Sequence, residues 1–106
     1  MILSEDYSNF FTIRNRRDLS IIKDVFHNYG VINSGLCYPD QKIVVLGINN
    51  NLVYFNYESM KITFSFSTYN TVSHMVKVTE DIILIGEIKG NIELINKNCF
   101  TRLWHL

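Results

Sequence analysis

The chain has 106 residues, 47% of them apolar and 19% charged, with ten Lys and Arg against ten Asp and Glu. That is enough sequence for one ordinary domain and too apolar for intrinsic disorder, and the neutral charge balance gives no field to attract nucleic acid or an anionic membrane. Two cysteines without a CxxC pair, a start (Met1-Ile2-Leu3, then Ser4-Glu5-Asp6) unlike a signal peptide and no apolar run of membrane-spanning length lead to the expectation of a cytoplasmic protein that engages neither nucleic acid nor membrane.

In chain order, residues 1–3 are apolar and residues 4–9 polar, after which Phe11 and Ile13 alternate with Thr12 and Arg14 in the period of two of a half-buried strand. Asn15-Arg16-Arg17-Asp18 is a polar turn. Residues 19–26 read as an outer strand in preference to a short amphipathic helix on Leu19, Ile22, Val25 and Phe26, because the segment is short, β-branched and lacks helix caps. His27-Asn28-Tyr29-Gly30 is a loop ahead of a strand at 31–37. Tyr38-Pro39-Asp40-Gln41 is the strongest turn signal, since proline presets φ and an aspartate bonds its own backbone, and it reverses the chain into 42–48.

Asn49-Asn50-Asn51 opens the next hairpin, and Tyr57-Glu58-Ser59 leads into an outer strand at 60–66, where Ile62, Phe64 and Phe66 alternate with Lys61, Thr63 and Ser65. Tyr69-Asn70-Thr71 connects to a strand at 72–78, which Thr79-Glu80-Asp81 turns into residues 82–85. That unbroken apolar run is expected to be buried on both faces. Lys89-Gly90-Asn91 is the following turn, with Gly90 free to take positive φ. Ile92 and Leu94 then alternate with Asn91 and Glu93 as though the polar pair faced water, and a last strand spans 99–106.

Two of these hairpins are copies of one another. Lys42-Ile-Val-Val-Leu-Gly47 and the strand after it recur 39 residues on (86 − 47 = 39), with Gly47 on Gly86, Val53 on Ile92 and Phe55 on Leu94, and a blurred third copy places Phe11 on Val53. A period of this size filled by short strands approaches the roughly 40 to 45 residues of a β-propeller blade. The expected fold is therefore all-β, with antiparallel four-stranded blades of a β-propeller, about two and a half of them: the last strands of a partial blade at 1–26 and whole blades at 27–66 and 67–106. Closed propellers have about four to eight blades, so further blades of the same polypeptide or a second chain are expected to complete the ring.

The order of these residues resembles a WD-repeat blade. His27 precedes the opening strand, Pro39 and Asp40 form the turn after it, Gly47 ends the second strand, and Gly86 and Gly90 take the glycine places of the next blade, so that the resemblance covers about residues 27–106. The blades are degenerate: Arg14-Asn15, Asn56-Tyr57 and Ile95-Asn96 stand where the Trp-Asp dipeptide belongs. The resemblance implies a non-catalytic scaffold for protein–protein interaction, with His27 in hydrogen bonds between blades.

No constellation of side chains outweighs that reading. His27, His74 and His105 lie far apart without metal-ligand spacing, Glu80-Asp81 sits in a turn without an apolar wall, and Gly86-x-x-x-Gly90 lacks the Lys-Ser/Thr of a phosphate loop. Arg14, Arg16 and Arg17 read as a charged rim balanced by Asp18, and the aromatic runs at Tyr7, Phe10, Phe11 and at Tyr54, Phe55, Tyr57 read as packing between blades. No enzyme activity, cofactor or metal is expected. Partner-binding residues are expected where loops gather at one end, at 26–30, 49–51, 67–71 and 87–89, with Tyr29, Asn50, Tyr69 and Lys89 as contacts for another protein. The alternative is an oligomeric repeat lectin or small-ligand binder, which calls for equivalent residues in equivalent loops; Asn49-Asn50-Asn51 instead lies opposite Ile88-Lys89-Gly90.

Overall fold

A computed structural model describes residues 2–7, 10–98 and 101–105, with side-chain environments for residues 11–98, Arg102 and Leu103. The expectations placed on Cys99, and on the side chains of Tyr7, Phe10 and His105, lie outside these described residues. Among the described residues eleven strands run β1 (Ile2–Tyr7), β2 (Phe10–Arg14), β3 (Ile21–Phe26), β4 (Ile32–Tyr38), β5 (Ile43–Ile48), β6 (Asn51–Asn56), β7 (Lys61–Ser67), β8 (Val72–Lys77), β9 (Ile82–Glu87), β10 (Ile92–Asn96) and β11 (Thr101–His105). The chain is all-β: three antiparallel sheets in the manner of propeller blades, ordered β1-β2-β3, β4-β5-β6-β7 and β8-β9-β10-β11. Each strand pairs with its neighbour in sequence, which short turns permit and long crossovers would not. Among the described residues the first sheet has three strands, and Ser4, Glu5 and Asp6 belong to β1.

The turns repeat as the strands do. Between the third and fourth strand positions of each sheet an asparagine side chain accepts a backbone N–H two residues on: Asn15 from Arg17 at 2.8 Å, Asn56 from Glu58 at 2.8 Å and Asn96 from Asn98 at 2.9 Å. These Asx turns, not a Trp-Asp pair, are what the repeat keeps at that corner. Gly90 has φ +89°, and its N–H donates to Glu87 O at 3.0 Å to close the β9–β10 hairpin.

Two cores lie between the three sheets. One face of the middle sheet packs Val44, Leu46, Ile48, Val53 and Phe55 against Phe11, Ile13 and Val25 of the first sheet, with Phe11 edge-on to Phe55 at 5.0 Å. The other packs Val45, Leu52 and Tyr54 against Val72, Met75, Ile83, Ile85 and Ile95 of the last. Strand β5 is thus buried on both faces, as a continuous apolar run implies. Strand β9 is not, contrary to expectation: Ile83 and Ile85 are fully buried, but Ile82 and Leu84 on the other face are only half-buried, because no further sheet covers that face among the described residues.

Strand β8 fastens the last sheet to the middle one by lying against β4 and β5. A Cβ placed on Gly47 would sit 2.6 Å from Val72 Cγ1, so the approach of β8 requires glycine there. Asn33 Nδ2 donates to Val72 O at 3.0 Å, and Lys77 Nζ to Cys37 O at 3.0 Å. At the end where Pro39–Gln41 turns, the Tyr38 ring meets two ammonium groups, Lys77 at 4.3 Å and Lys97 at 4.4 Å from its centroid. Lys97 is itself buried, donating to Gln41 Oε1 at 2.5 Å and Asn98 Oδ1 at 2.8 Å.

Candidate functional site

The β3–β4, β5–β6, β7–β8 and β9–β10 connections are tied together at one end of the sheets by hydrogen bonds. Asn49 Nδ2 donates to Tyr29 O at 3.1 Å, the Val72 N–H to Asn49 O at 2.8 Å, the Thr68 N–H to Asn50 O at 2.8 Å and the Ile88 N–H to Thr71 O at 3.0 Å. A loop whose backbone is held from both sides presents its side chains in a fixed arrangement, which is what recognition of a partner needs.

Beneath the 68–71 loop lies a buried carboxylate pair. Glu93 on β10 is fully buried and Glu87 on β9 is 5% exposed. Glu87 Oε2 accepts the Asn70 N–H at 2.6 Å, and Glu93 Oε2 accepts the Tyr69 N–H at 3.1 Å. Arg102 on β11 binds Glu93 Oε1 through Nε and Ser67 O through Nη2 at 2.9 Å, with its guanidinium 4.3 Å over the Tyr69 ring. Asn70 Nδ2 donates to Asn91 Oδ1 at 2.8 Å, completing the link to the β9–β10 hairpin.

Two carboxyls face one guanidinium here, so a proton takes the place of a second counter-charge. Burial, reinforced by the hydrogen bond to Glu93, pushes the Glu87 carboxyl up to about 7. For Glu93 burial works upward too, but the hydrogen bonds from Glu87, Arg102 and the Tyr69 amide outweigh it and hold that carboxyl below its usual range. The pair acts on the loop backbone: its chemistry is that of an anchor for two amides.

Tyr69 is 52% exposed, and Asn50 and Lys89 are exposed with it; Ile88, 64% exposed, adds an apolar side chain beside Lys89. Tyr29 is half-buried instead, stacked on His27 and bonded through its hydroxyl to Ser65 Oγ at 3.1 Å, so much of its surface is already committed to packing. His27 is buried, its ring also against Phe11. Sequence reasoning missed Glu87, Glu93 and Arg102, and it placed Glu93 on a wet face. The register corrects this: Glu93 pairs with Ile85 and Ile95 with Ile83, so Glu93 and Ile95 point into the core while Ile92 and Leu94 are half-buried on the far face. The signal was present in Ile95, an apolar residue two positions from Glu93 and thus on its face. Among the described residues no three His, Cys, Asp or Glu side chains converge as metal ligands, and no helix is long and apolar enough to cross a membrane.

No protein-family model and no curated protein matches this sequence. Solved structures do match. Sqt1 from Saccharomyces cerevisiae superposes with a TM-score of 0.79 at 11% identity over 92% of this chain and 27% of its own. Hydrazine synthase from Kuenenia stuttgartiensis superposes with a TM-score of 0.79 at 8% identity over 92% of this chain and 29% of its own. The chain spans less than a third of either structure, and what it shares with them is the fold, a succession of antiparallel β-propeller-like sheets.

Proposed function

We propose that this chain is a non-catalytic protein-interaction segment of a WD-repeat-like β-propeller, with residues 27–66 and 67–106 as two blades and 1–26 as part of a third. The loop end is the recognition surface, and Tyr69, Asn50 and Lys89 are its contacts, with Ile88 adding apolar area. The observation that carries this reading is the anchoring of the 68–71 loop: Glu87 and Glu93 hold its amides while Arg102 stacks on the Tyr69 ring, leaving about half of that tyrosine exposed in a preset position. Rigid, half-exposed aromatic residues are the side chains that most often dominate interface energies. The partner is another protein, and the uncovered face of the last sheet packs against a further blade of the same polypeptide or of a second chain.

Affinity capture with the wild-type chain and with a Tyr69→Ala/Lys89→Ala double variant tests the recognition surface. Proteins retained by the wild type are expected to bind the variant at least tenfold more weakly, with the melting temperature changed by no more than a few degrees. Unchanged affinity for every captured protein would rule this surface out.

A further inference from the structure

Two carboxyl groups meet beneath the 68–71 loop, and the one guanidinium there binds Glu93, not Glu87. Glu87 Oε2 accepts the Asn70 N–H, but its other oxygen, Oε1, is buried and accepts from no N–H or hydroxyl among the described residues. What lies within hydrogen-bonding reach of the Glu87 side chain is the Glu93 carboxyl. Two carboxyls bond to each other only through a proton that one of them holds, and without it they are like charges in contact and out of water.

No further charge is placed to relieve them. Glu93 of β10 and Arg102 of β11 are the charged groups that act on Glu87, and Tyr69 meets the cluster with its ring, over the guanidinium. Strands β4, β5 and β6 of the middle sheet carry no acidic or basic side chain, and the single one of β7, Lys61, stands at the end of that strand away from the loop. On β8, His74 is exposed and shares a hydrogen bond with Ser73 Oγ, and Lys77 is bonded to Cys37 O. Lys89 is exposed in the β9–β10 turn.

Each carboxyl also holds one loop amide, and the two are not equally secured. Glu93 has Arg102 and the Tyr69 N–H, and it keeps both when the proton leaves. Glu87 has only the Asn70 N–H besides the proton, and at 5% exposed it lies just under the surface, so it is the carboxylate that turns out to water.

We propose that the proton shared by Glu87 and Glu93 is a latch on the recognition loop: with it the 68–71 segment holds Tyr69 in its binding position, and without it Glu87 swings to water, the Asn70 amide is released and partner binding weakens. This rests on the reading of the loop end as the recognition surface. Burial and the bond to Glu93 raise the Glu87 carboxyl to about 7, so the latch is closed in mildly acid solution and opens as pH rises through neutrality.

The latch is tested on the full chain without any partner. Protection of the Tyr69 and Asn70 amides, corrected for base-catalysed intrinsic exchange, is expected to fall at least tenfold between pH 5.5 and 8, and to stay level in Glu87→Gln, whose amide stands in for the protonated carboxyl. Should that variant fail to fold, carboxyl-carbon NMR of the wild type decides: one glutamate titrates near neutrality, and the Tyr69 and Asn70 amide shifts move with the same midpoint. Protection that is level in the wild type, a Gln variant as pH-dependent as the wild type, or loop shifts that do not follow a carboxyl would each overturn the latch. The second arm uses proteins that the wild type retains and Tyr69→Ala/Lys89→Ala does not, each purified and titrated singly. The wild type is expected to bind them at least tenfold more tightly at pH 5.5 than at pH 8, and Glu87→Gln equally at both; equal binding by the wild type would overturn the link to recognition. If no retained protein depends on Tyr69 and Lys89, the recognition surface fails while the exchange data still judge the latch.

Discussion

At the scale of single residues, the Glu87–Glu93 pair makes the loop end sensitive to pH, and the sign follows from the direction of each shift. A carboxyl raised from its unfolded value of 4.5 to about 7 binds a proton in the folded state that the unfolded state has lost, so its contribution to stability is complete below 4.5 and disappears as pH rises through 7. Glu93, held low, acts in the opposite sense below 4.5, where its stabilising charge is lost as pH falls. Between pH 5 and 8 the Glu87 effect stands alone of the two, and the melting temperature is expected to fall across that interval while the Tyr69 and Asn70 amides exchange faster. Glu87→Gln keeps an oxygen for the Asn70 N–H and a donor for Glu93 without an ionisable proton, so its melting temperature is expected to be flat over the same interval, as calorimetry at several pH values will show. A Gln variant as pH-dependent as the wild type would place the titrating group elsewhere.

At the scale of elements, the two equivalent glycines of β5 and β9 differ in what they face. Gly47 is within contact of Val72, whereas a Cβ on Gly86 would meet nothing within 4 Å. Gly47→Ala is therefore expected to push β8 away and destabilise the chain by about 1–3 kcal/mol, while Gly86→Ala changes stability by less than about 0.5 kcal/mol; denaturant melts of both variants compare them directly. Much of this architecture was legible in the sequence, because hairpins are local: Gly90 and the Pro39-Asp40 turn each act through neighbouring residues, whereas the alternation expected of β7 is broken by a register shift opposite Tyr54 and Phe55, so that Ile62 and Phe66 pack on opposite faces of the middle sheet. The strand at Ile21–Phe26 was read correctly over its helical rival because β-branching is also local. The half-exposure of Leu84 was not legible, since burial on the second face depends on a sheet the residue itself does not encode, and neither was the burial of Glu93, whose partner Arg102 arrives from a different strand. Of the contacts expected at the loop end, Tyr69, Asn50 and Lys89 are exposed on connected loops, whereas the packing of Tyr29 against Ser65 depends on a strand 36 residues further on.

At the scale of the whole molecule, the chain is a slab of 42 × 28 × 20 Å whose last sheet leaves Val76 and Leu103 exposed, beside half-buried Leu84, Ile92 and Leu94. At about 25 cal/mol per Å², covering a face of some 400 Å² contributes roughly 10 kcal/mol, comparable with the whole stability of an ordinary domain, about 5–15 kcal/mol. Residues 1–106 on their own are accordingly expected to self-associate as concentration rises, and a Val76→Lys/Leu84→Lys pair to reduce the mass seen by light scattering; a wild-type chain that stays monomeric at every concentration would contradict this. The meander of strands also sets an order of assembly. Every ladder joins consecutive strands, so during synthesis at about 5–20 residues per second each hairpin can zip within microseconds of emerging, long before the next has been made. The side of the middle sheet formed by Val45, Leu52 and Tyr54 has no such local remedy. It stays open until Val72 and the strand behind it have left the ribosome and settled over Gly47, and in those seconds the nascent chain is at its most vulnerable to misassembly with its neighbours on the same message.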